Sequence, residues 1–253
     1  MIGNWKMYVE SPEEAKHFVQ SLRKRARSFA GVDAWLAPAY PLIPTVAQAL
    51  KGSSIKVGAQ AVSPHDDPQH TGEVSAAMLK GVGAQFCIVG HSEQRAAGLS
   101  DELVHASLVR AANNALTAVL CVGERERPST LGAGDRGDYF TFVEEQLRSA
   151  FRGAQSLAPR VIIAYEPVWA IGRSAADAMS PAMLEEMVIF IRKTLAEILT
   201  RPAALRVRVL YGGSVEPDNA AHLIAEGGVN GFLVGHASAQ LEEFVEILKS
   251  CRT

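Results

Sequence analysis

The stretch from Val161 to Gly172 reads VIIAYEPVWAIG. Its first five residues are apolar or aromatic, which predicts a fully buried strand of a parallel sheet. Glu166 stands where this strand opens into a loop, and the chain leaves the sheet there because Pro167 has no backbone N–H and disfavours helical geometry before it. A merely solvated loop would not need the bulky Val168-Trp169 pair. The stretch indicates a general base under a lid, with a carboxylate that simply ends a strand as the alternative.

The rest of the chain repeats this alternation of a short β-rich run with a helical pattern. Two helix starts can be identified from the sequence. Ser11-Pro12-Glu13-Glu14 combines an N-cap serine, a first-turn proline and a capping-box glutamate, and Ser180-Pro181 has the N-cap serine and the first-turn proline. Eight βα units are predicted. Their strands run over Ile2 to Trp5, Asp33 to Ala37, Ile55 to Ala59, Phe86 to Val89, Ala118 to Val122, Val161 to Tyr165, Val207 to Tyr211 and Gly231 to Val234.

Eight such units fit either a closed (β/α)8 barrel or an open doubly wound sheet. A dinucleotide-binding open sheet would carry Gly-x-Gly-x-x-Gly after its first strand, and Asn4-Trp5-Lys6 stands there instead. No linker, low-complexity tract or long charge run marks a domain boundary. The expected fold is an α/β single-domain (β/α)8 barrel over residues 1–253.

The composition is that of an ordinary globular protein, with 48% hydrophobic residues, 21% charged residues and a formal net charge of −2. Nothing favours nucleic acid, because there is no basic excess and the densest cationic run, Arg23 to Arg27, follows a helical pattern that a solvated face explains. No leader pattern begins the chain, and no window approaches the roughly 18 apolar residues of a membrane span. A cytoplasmic protein without membrane contact is expected.

The cysteines and histidines do not predict a metal or a disulfide framework. Cys87, Cys121 and Cys251 are widely spaced and form no Cys-x-x-Cys pair, and the first two fall in apolar strands as core thiols. His65 and His70 lie in a polar loop where solvated residues are expected, and no His/Asp/Glu set has zinc-ligand spacing. No metal site is therefore expected.

Polar residues cluster at the predicted strand ends. In a parallel barrel all of these ends open on one face, so the residues there converge whatever their separation in sequence. Together they supply a base, two electrophiles and a phosphate cradle. The residues are Asn4 and Lys6 after strand one, His91, Ser92 and Glu93 after strand four, Glu166 after strand six, Gly212 to Ser214 after strand seven, and Gly235 to Ser238 after strand eight.

The glycines after the last two strands predict the phosphate cradle. Glycine lets backbone N–H groups approach a dianion closely, and barrel phosphate sites are usually built after strands seven and eight. Tight turns are the alternative for Gly212-Gly213 and for Gly235. In isolation, Lys6 would be a surface lysine and His91 a hydrogen-bonded core histidine.

These residues are similar to those of the triosephosphate isomerase family. The matching segments keep the family's order over nearly the whole chain, which makes the resemblance highly specific, and it implies a TIM barrel. They are Gly3 to Met7, Gly58 to Gln60, Thr71 to Glu73, Val89 to Glu93, Cys121 to Glu124, Tyr165 to Gly172, Tyr211 to Val215 and Asn230 to Gly235.

The resemblance implies isomerisation of a triose phosphate, in which dihydroxyacetone phosphate and D-glyceraldehyde 3-phosphate interconvert through an enediolate. Glu166 would move the proton between the two carbons, and His91, neutral beside a helix N-terminus, would polarise the carbonyl, a division of roles that is already known for the family. Lys6 and Asn4 would stabilise the enediolate. Glu93, a candidate structural partner of Lys6, completes the set of predicted catalytic residues. The resemblance implies no cofactor.

The resemblance also implies the phosphate contacts. Gly172, Ser214 and Gly235, with His236, would hold the phosphate as the segment after Pro167 closes. Closure would exclude water and protect the enediolate.

Further residues match family positions with supporting roles. Ile171 and Leu233 would desolvate the base, Tyr211 and Glu124 would hold the closed and open lid respectively, and Thr71 would reach the active site of a neighbouring subunit in a homodimer.

Three features depart from the family pattern. The lid tip, Arg173 to Ser180, is about two residues longer than usual and lacks Thr-Gly-Lys. His236 replaces a second glycine against the phosphate, where it would either add charge or obstruct. The first strand is short, so either the barrel closes with a short strand or the true start lies upstream.

Three alternatives to triose phosphate isomerisation remain open on the sequence. A longer lid and an altered phosphate turn could accommodate a four-carbon ketose phosphate. A weakly active barrel with a binding role would explain the same departures, although Asn4, Lys6, His91 and Glu166 are all present. A Schiff-base aldolase could use only Lys6, the one suitably placed lysine.

Overall fold

Eight parallel strands alternate with helices along the chain in the computed structural model, which describes residues 1–127, 138–172 and 179–252. The observed strands differ from the predicted ones by at most two residues at either end. They are β1 (Ile2–Asn4), β2 (Trp35–Ala37), β3 (Lys56–Ala59), β4 (Phe86–Val89), β5 (Thr117–Val122), β6 (Val161–Tyr165), β7 (Arg208–Tyr211) and β8 (Leu233–Val234).

The strands close into a barrel. Their order is β7-β6-β5-β4-β3-β2-β1-β8, with every neighbouring pair parallel. The remaining seam, between β7 and β8, is joined by a bridge from Tyr211 to Phe232 and by the hydrogen bond that the Tyr211 N–H donates to the Gly231 carbonyl at 3.0 Å. The closed barrel that the sequence predicted is therefore confirmed over the open sheet.

Ten α-helices flank the barrel within the described residues, and they cover its outer face as the fold requires. They are α1 (Pro12–Lys24), α2 (Ile43–Ala49), α3 (Ala76–Gly81), α4 (Ser92–Ala96), α5 (Asp101–Asn113), α6 (Asp138–Phe151), α7 (Pro181–Ile198), α8 (Arg201–Arg206), α9 (Pro217–Glu226) and α10 (Leu241–Ser250).

The two predicted helix starts are confirmed, with one change in detail. Ser11 caps α1 by accepting from the Glu14 N–H at 3.1 Å, and Ser180 caps α7 by accepting from the Met183 N–H at 3.3 Å. The Glu14 carboxylate, however, accepts from the Glu10 N–H at 3.2 Å, so its bond reaches one residue beyond the capping serine. Each cap satisfies a backbone donor that the first helical turn leaves unpaired.

The apolar side chains form two separate cores. One fills the barrel interior, where the rings of Trp35 and Phe86 pack with centroids 5.0 Å apart. The other lies between the strands and the helices, where Trp5 meets Phe18 edge-on. Cys87 and Cys121 are buried, which confirms them as core thiols. The interior is packed rather than open, so chemistry is confined to the face formed by the strand ends.

No helix among the described residues is both long enough and apolar enough to span a membrane. The predicted lid tip lies largely in residues 173–178, outside the described part of the chain. The strand ends that open on one face bring most of the predicted site residues together around one cavity.

Candidate active site

Glu166 lies buried at the end of β6, with 2% of its surface exposed. Its backbone N–H donates to the Val122 carbonyl at 2.8 Å, which keeps the residue in line with β5. One carboxylate oxygen, Oε2, accepts from the Ser92 N–H at 3.0 Å, and the other, Oε1, lies 3.4 Å from Nε2 of His91. The predicted base is therefore held out of water between β5 and the start of α4.

Two glycines leave room for this carboxylate residue. A Cβ at Gly123 would fall 1.9 Å from the Glu166 carbonyl oxygen, and one at Gly212 would fall 2.8 Å from Glu166 Cγ. A Cβ at Gly213 would fall 2.3 Å from the Tyr211 hydroxyl. Gly212 thus has a packing role beside Glu166 and Gly213 has one beside Tyr211, in addition to their lining the cavity where the phosphate cradle was predicted.

His91 precedes α4 as its N-cap residue. Nδ1 accepts from the Glu93 N–H at 3.2 Å, and a nitrogen that accepts a hydrogen bond carries no proton. If the ring is neutral, as the family resemblance implies, this contact assigns its proton to Nε2, the nitrogen that faces Glu166. The structure therefore places an N–H donor beside the carboxylate, in the tautomer that polarising a carbonyl requires.

Lys6 and Asn4 come from the end of β1. The Lys6 backbone has φ of +46°, a left-handed conformation that is uncommon for a residue with a side chain, and its N–H donates to the Asn4 side-chain oxygen at 3.1 Å. The Gln60 amide donates to the carbonyls of Lys6 at 2.8 Å and of Ala37 at 3.0 Å, which fixes this turn to β2. The strained turn directs the Lys6 side chain into the cavity.

Glu93 is the ion-pair partner of Lys6, whose Nζ lies 2.5 Å from Glu93 Oε1. Partial burial opposes ionisation of this carboxyl, but the hydrogen bond and the charge of Lys6 hold its pKa below the usual range. Its side chain is 62% exposed. Glu93 does not line the cavity, so it contacts the site through Lys6 and through the backbone bond to His91.

A cavity of about 360 Å³ opens at this face of the barrel. It brings together eight of the nine residues that the sequence predicted for catalysis and phosphate binding, all except Glu93. They are Asn4, Lys6, His91, Glu166, Gly172, Ser214, Gly235 and His236.

The phosphate side of the cavity is built from the loops after β7 and β8. The Ser214 hydroxyl donates to the Ala170 carbonyl at 2.9 Å and so ties this loop to the lid segment. His236 begins a short 3₁₀ turn and is exposed at the rim, where its ring meets the Tyr8 ring edge-on with centroids 5.0 Å apart. Tyr8 also lines the cavity, and the sequence did not single it out.

The first part of the lid segment is anchored by a buried carboxylate. Trp169 donates from its indole N–H to Glu124 Oε1 at 2.8 Å, and the Tyr165 hydroxyl donates to the same carboxylate at 2.9 Å. Burial raises the pKa of Glu124 despite these hydrogen bonds. Glu124, the residue that the resemblance assigned to holding the open lid, is thus joined to the end of β6 and to Trp169.

The comparisons with known proteins agree with this geometry. A model of the family described as triosephosphate isomerase matches residues 1–251. A triosephosphate isomerase from Carboxydothermus hydrogenoformans is 41% identical over 98% of this chain and 96% of its own length, and one from Thermus thermophilus is 39% identical over the same shares. The chain belongs to the triosephosphate isomerase family. The predicted family, TIM-barrel fold and activity as an aldose–ketose isomerase are confirmed, and members of the triosephosphate isomerase family interconvert dihydroxyacetone phosphate and D-glyceraldehyde 3-phosphate.

Within this triosephosphate isomerase site, sequence reasoning missed two groups that support the predicted catalytic residues: Cys121 beside Glu166 and Arg95 below the loop that carries His91. The Cys121 thiol lies against Glu166, and burial, reinforced by the carboxylate, raises the pKa of that thiol well above its usual range. Arg95 donates to the Gly90 carbonyl at 2.8 Å and to Asp101 at 2.5 Å, which steadies the loop before His91. The position of Cys121 at the end of β5 was the available signal, since β5 is the neighbour of β6 in the barrel.

Proposed function

We propose that Glu166 is the base that transfers the proton between the two carbons of the triose phosphate. A C–H bond beside a carbonyl is weakly acidic, so the base must be positioned against it and kept from water. The buried carboxylate of Glu166, supported by the Ser92 N–H, has these properties. The observation that carries the proposal is its placement 3.4 Å from His91 Nε2 within one cavity.

His91, Lys6 and Asn4 stabilise the negative oxygen that forms as the proton leaves. Such donors act strongly when they are fixed in advance in a site of low dielectric constant. The Nε2 tautomer of His91 donates a hydrogen bond, and the Lys6 ammonium adds charge. Glu93 acts as a positioning residue for Lys6. These steps use side chains alone and require no cofactor or metal.

Gly172, Ser214, Gly235 and His236 bind the phosphate at the other end of the cavity. All four residues line the same cavity, which supports this proposal. Lys6 also lies close to Gly235, with its Nζ 3.9 Å from the position that a Gly235 Cβ would take. The Schiff-base alternative is disfavoured because the Lys6 Nζ is engaged by the Glu93 carboxylate at 2.5 Å and is not presented as an isolated nucleophile.

We further propose a homodimer in the cytoplasm, formed by a chain in which residues 1–253 make one domain. The pairing of β1 with β8 supports one domain, because it joins both ends of the described chain in one sheet. Large apolar side chains are exposed in the loop after β1 and in α3, with Met7 82% and Met78 61% exposed. Met7 lies in the loop after β1, and Met78 lies in α3, which follows the Thr71 loop.

The replacement Glu166→Gln tests the proposed mechanism. Because glutamine cannot accept the proton, we expect kcat for either triose phosphate to fall by at least about 10³-fold, while binding of glycerol 3-phosphate, an unreactive analogue, is retained. A coupled isomerase assay and a calorimetric titration make these measurements. Glu246→Gln, on the exposed face of α10, is the matched control and should leave kcat unchanged. Turnover by Glu166→Gln within about tenfold of the parent would exclude Glu166 as the base.

A further inference from the structure

The loop between β3 and α3 carries a cluster that the proposed reaction does not use. One ring nitrogen each from His65 and His70 and a carboxylate oxygen of Glu73 all lie within 4.8 Å of one another. None of the three residues lines the active-site cavity. We propose that this cluster binds a divalent transition-metal ion of the zinc class.

The donor set selects the class of ion. Imidazole nitrogen with one carboxylate oxygen suits zinc, cobalt, nickel and copper better than it suits magnesium or calcium, which prefer all-oxygen sites. The local charge also fits, because Glu73 and Asp67 together carry two negative charges. The neighbouring carboxylate, Asp66, is already paired with Arg110 at 2.8 Å. A divalent cation would balance the remaining charge.

A carboxylate already orients one of the two rings. Asp67 Oδ2 lies 3.0 Å from Nε2 of His70, which leaves Nδ1 of that ring as the nitrogen for the ion. A histidine ligand held by a carboxylate through its other nitrogen is the common arrangement in metal sites. On the other ring, Nε2 of His65 lies 3.7 Å from Glu73 Oε1, so this pair is already close to a shared ligand position.

The backbone of the loop keeps the three ligands together. The Ser63 N–H donates to the Val74 carbonyl at 2.9 Å and closes the base of the loop, and the Glu73 N–H donates to the His70 carbonyl at 3.2 Å. The Ser63 hydroxyl bonds the Glu73 carboxylate and accepts from the His65 N–H at 3.1 Å. An ion would therefore order few additional backbone groups on binding, which favours affinity.

The rings must rotate to bind an ion. They stack with centroids 3.5 Å apart and only 7° between their planes. Two imidazole rings whose nitrogen lone pairs point at one ion must instead be inclined to each other. In the single chain about a third of each side chain is exposed, 33% for His65 and 31% for His70, which leaves space for this rotation and for water as a further ligand before a partner subunit covers the loop. Ion binding should therefore replace the stacked arrangement.

Titration of the metal-free full chain with Zn²⁺ tests the proposal. Calorimetry should show one ion for each chain, and Co²⁺ bound in its place should give a visible absorption band. Loss of one ligand in His65→Ala or His70→Ala should weaken binding at least about tenfold. The matched control is His222→Ala, on the exposed side of α9, which should bind as the parent does. Affinity should fall on acidification, because protons compete for the imidazole nitrogens.

Three outcomes would overturn the proposal. Parent-like Zn²⁺ affinity in both His65→Ala and His70→Ala would place the ion elsewhere, as would equal weakening in His222→Ala. Because Thr71 directly follows His70, sedimentation of each variant checks that an altered assembly does not cause the loss. Unchanged affinity in a His65→Ala protein with parent-like assembly is decisive against the site. Isomerase turnover is not a readout here, so this test is independent of the proposed catalytic roles.

Discussion

His236 and an acidic residue, Glu216, lie together at the phosphate end of the cavity. Its ring packs on Tyr8, and both residues line the cavity with Lys6 and Glu216. Burial raises the pKa of Glu216, the negative charge of Glu243 adds to the shift, and the charge of His236 opposes it. A cationic His236 would therefore offset acidic neighbours in addition to attracting the phosphate.

Replacement of His236 by glycine should affect binding more than turnover. We expect KM for D-glyceraldehyde 3-phosphate to rise about two- to fivefold, with kcat nearly constant, because a group that binds the phosphate contributes to substrate binding and not to the proton transfer. Initial rates as a function of substrate concentration provide the measurement. Tyr8→Phe, which keeps the ring contact with His236, is the control and should leave KM within about twofold of the parent. An unchanged KM in His236→Gly would contradict a role of His236 in phosphate binding.

The segment from Pro167 to Ile171 is held in place by a hydrogen bond to Glu124, a residue outside the segment. Trp169 and Tyr165 both donate to Glu124, a residue with 1% of its surface exposed, so the lid segment is joined to the end of β5. The raised pKa of Glu124 means that the folded protein binds this proton more tightly than the unfolded chain does. Its contribution to stability is full below the ordinary glutamate pKa and is lost as pH rises through the folded value.

Glu124→Gln should therefore stabilise the protein more at pH 8 than at pH 5. Glutamine is neutral and can still accept the hydrogen bonds of Trp169 and Tyr165, so it removes the desolvation cost of a buried charge and keeps the anchor. Thermal denaturation at both pH values measures the difference in Tm. Glu226→Gln, the same replacement at an exposed position on α9, controls for the change in net charge. A larger gain at pH 5 would contradict the assigned direction.

The sequence predicted elements well and contacts between elements less well. Buried runs such as Val161 to Tyr165 predict strands because apolar β-rich segments of this length have few other stable environments. The Ser92 N–H bond to Glu166, in contrast, joins groups 74 residues apart and depends on the curvature of the closed sheet. The stacking of His65 on His70 likewise depends on how one loop turns.

At the scale of the whole molecule, the barrel places the proposed dimer contact beside the active site. The loops after β1 and β3 both follow strand C-termini, so Met7 and Thr71 lie on the face that carries the cavity. A partner seated on this face would cover exposed apolar surface and approach Lys6 and Asn4. Assembly and activity should therefore be coupled.

Thr71→Arg tests this coupling. An arginine at the exposed tip would place a bulky charge in the contact, so we expect the dimer to dissociate at concentrations at least about 100-fold higher than in the parent, with kcat reduced at least about tenfold. Sedimentation and the isomerase assay measure the two effects. Thr141→Arg, at an exposed position on α6, is the control for the added charge. A parent protein that sediments as a monomer, or an unaltered Thr71→Arg dimer, would contradict the proposed interface.

The seam of the barrel has a consequence for how the molecule acquires activity during folding. Asn4 and Lys6 stand next to Gly235 only when β1 has paired with β8, a contact between residues more than 200 positions apart in the chain. Such distant pairings are slow to form because the loop entropy is lost before the contact is gained. Intermediates can contain most of the helices and strands and yet hold only part of the substrate pocket. Recovery of turnover after dilution from denaturant should therefore lag behind recovery of the helical circular dichroism signal. The rate at which activity returns would then report the rate at which β1 pairs with β8 and closes the barrel.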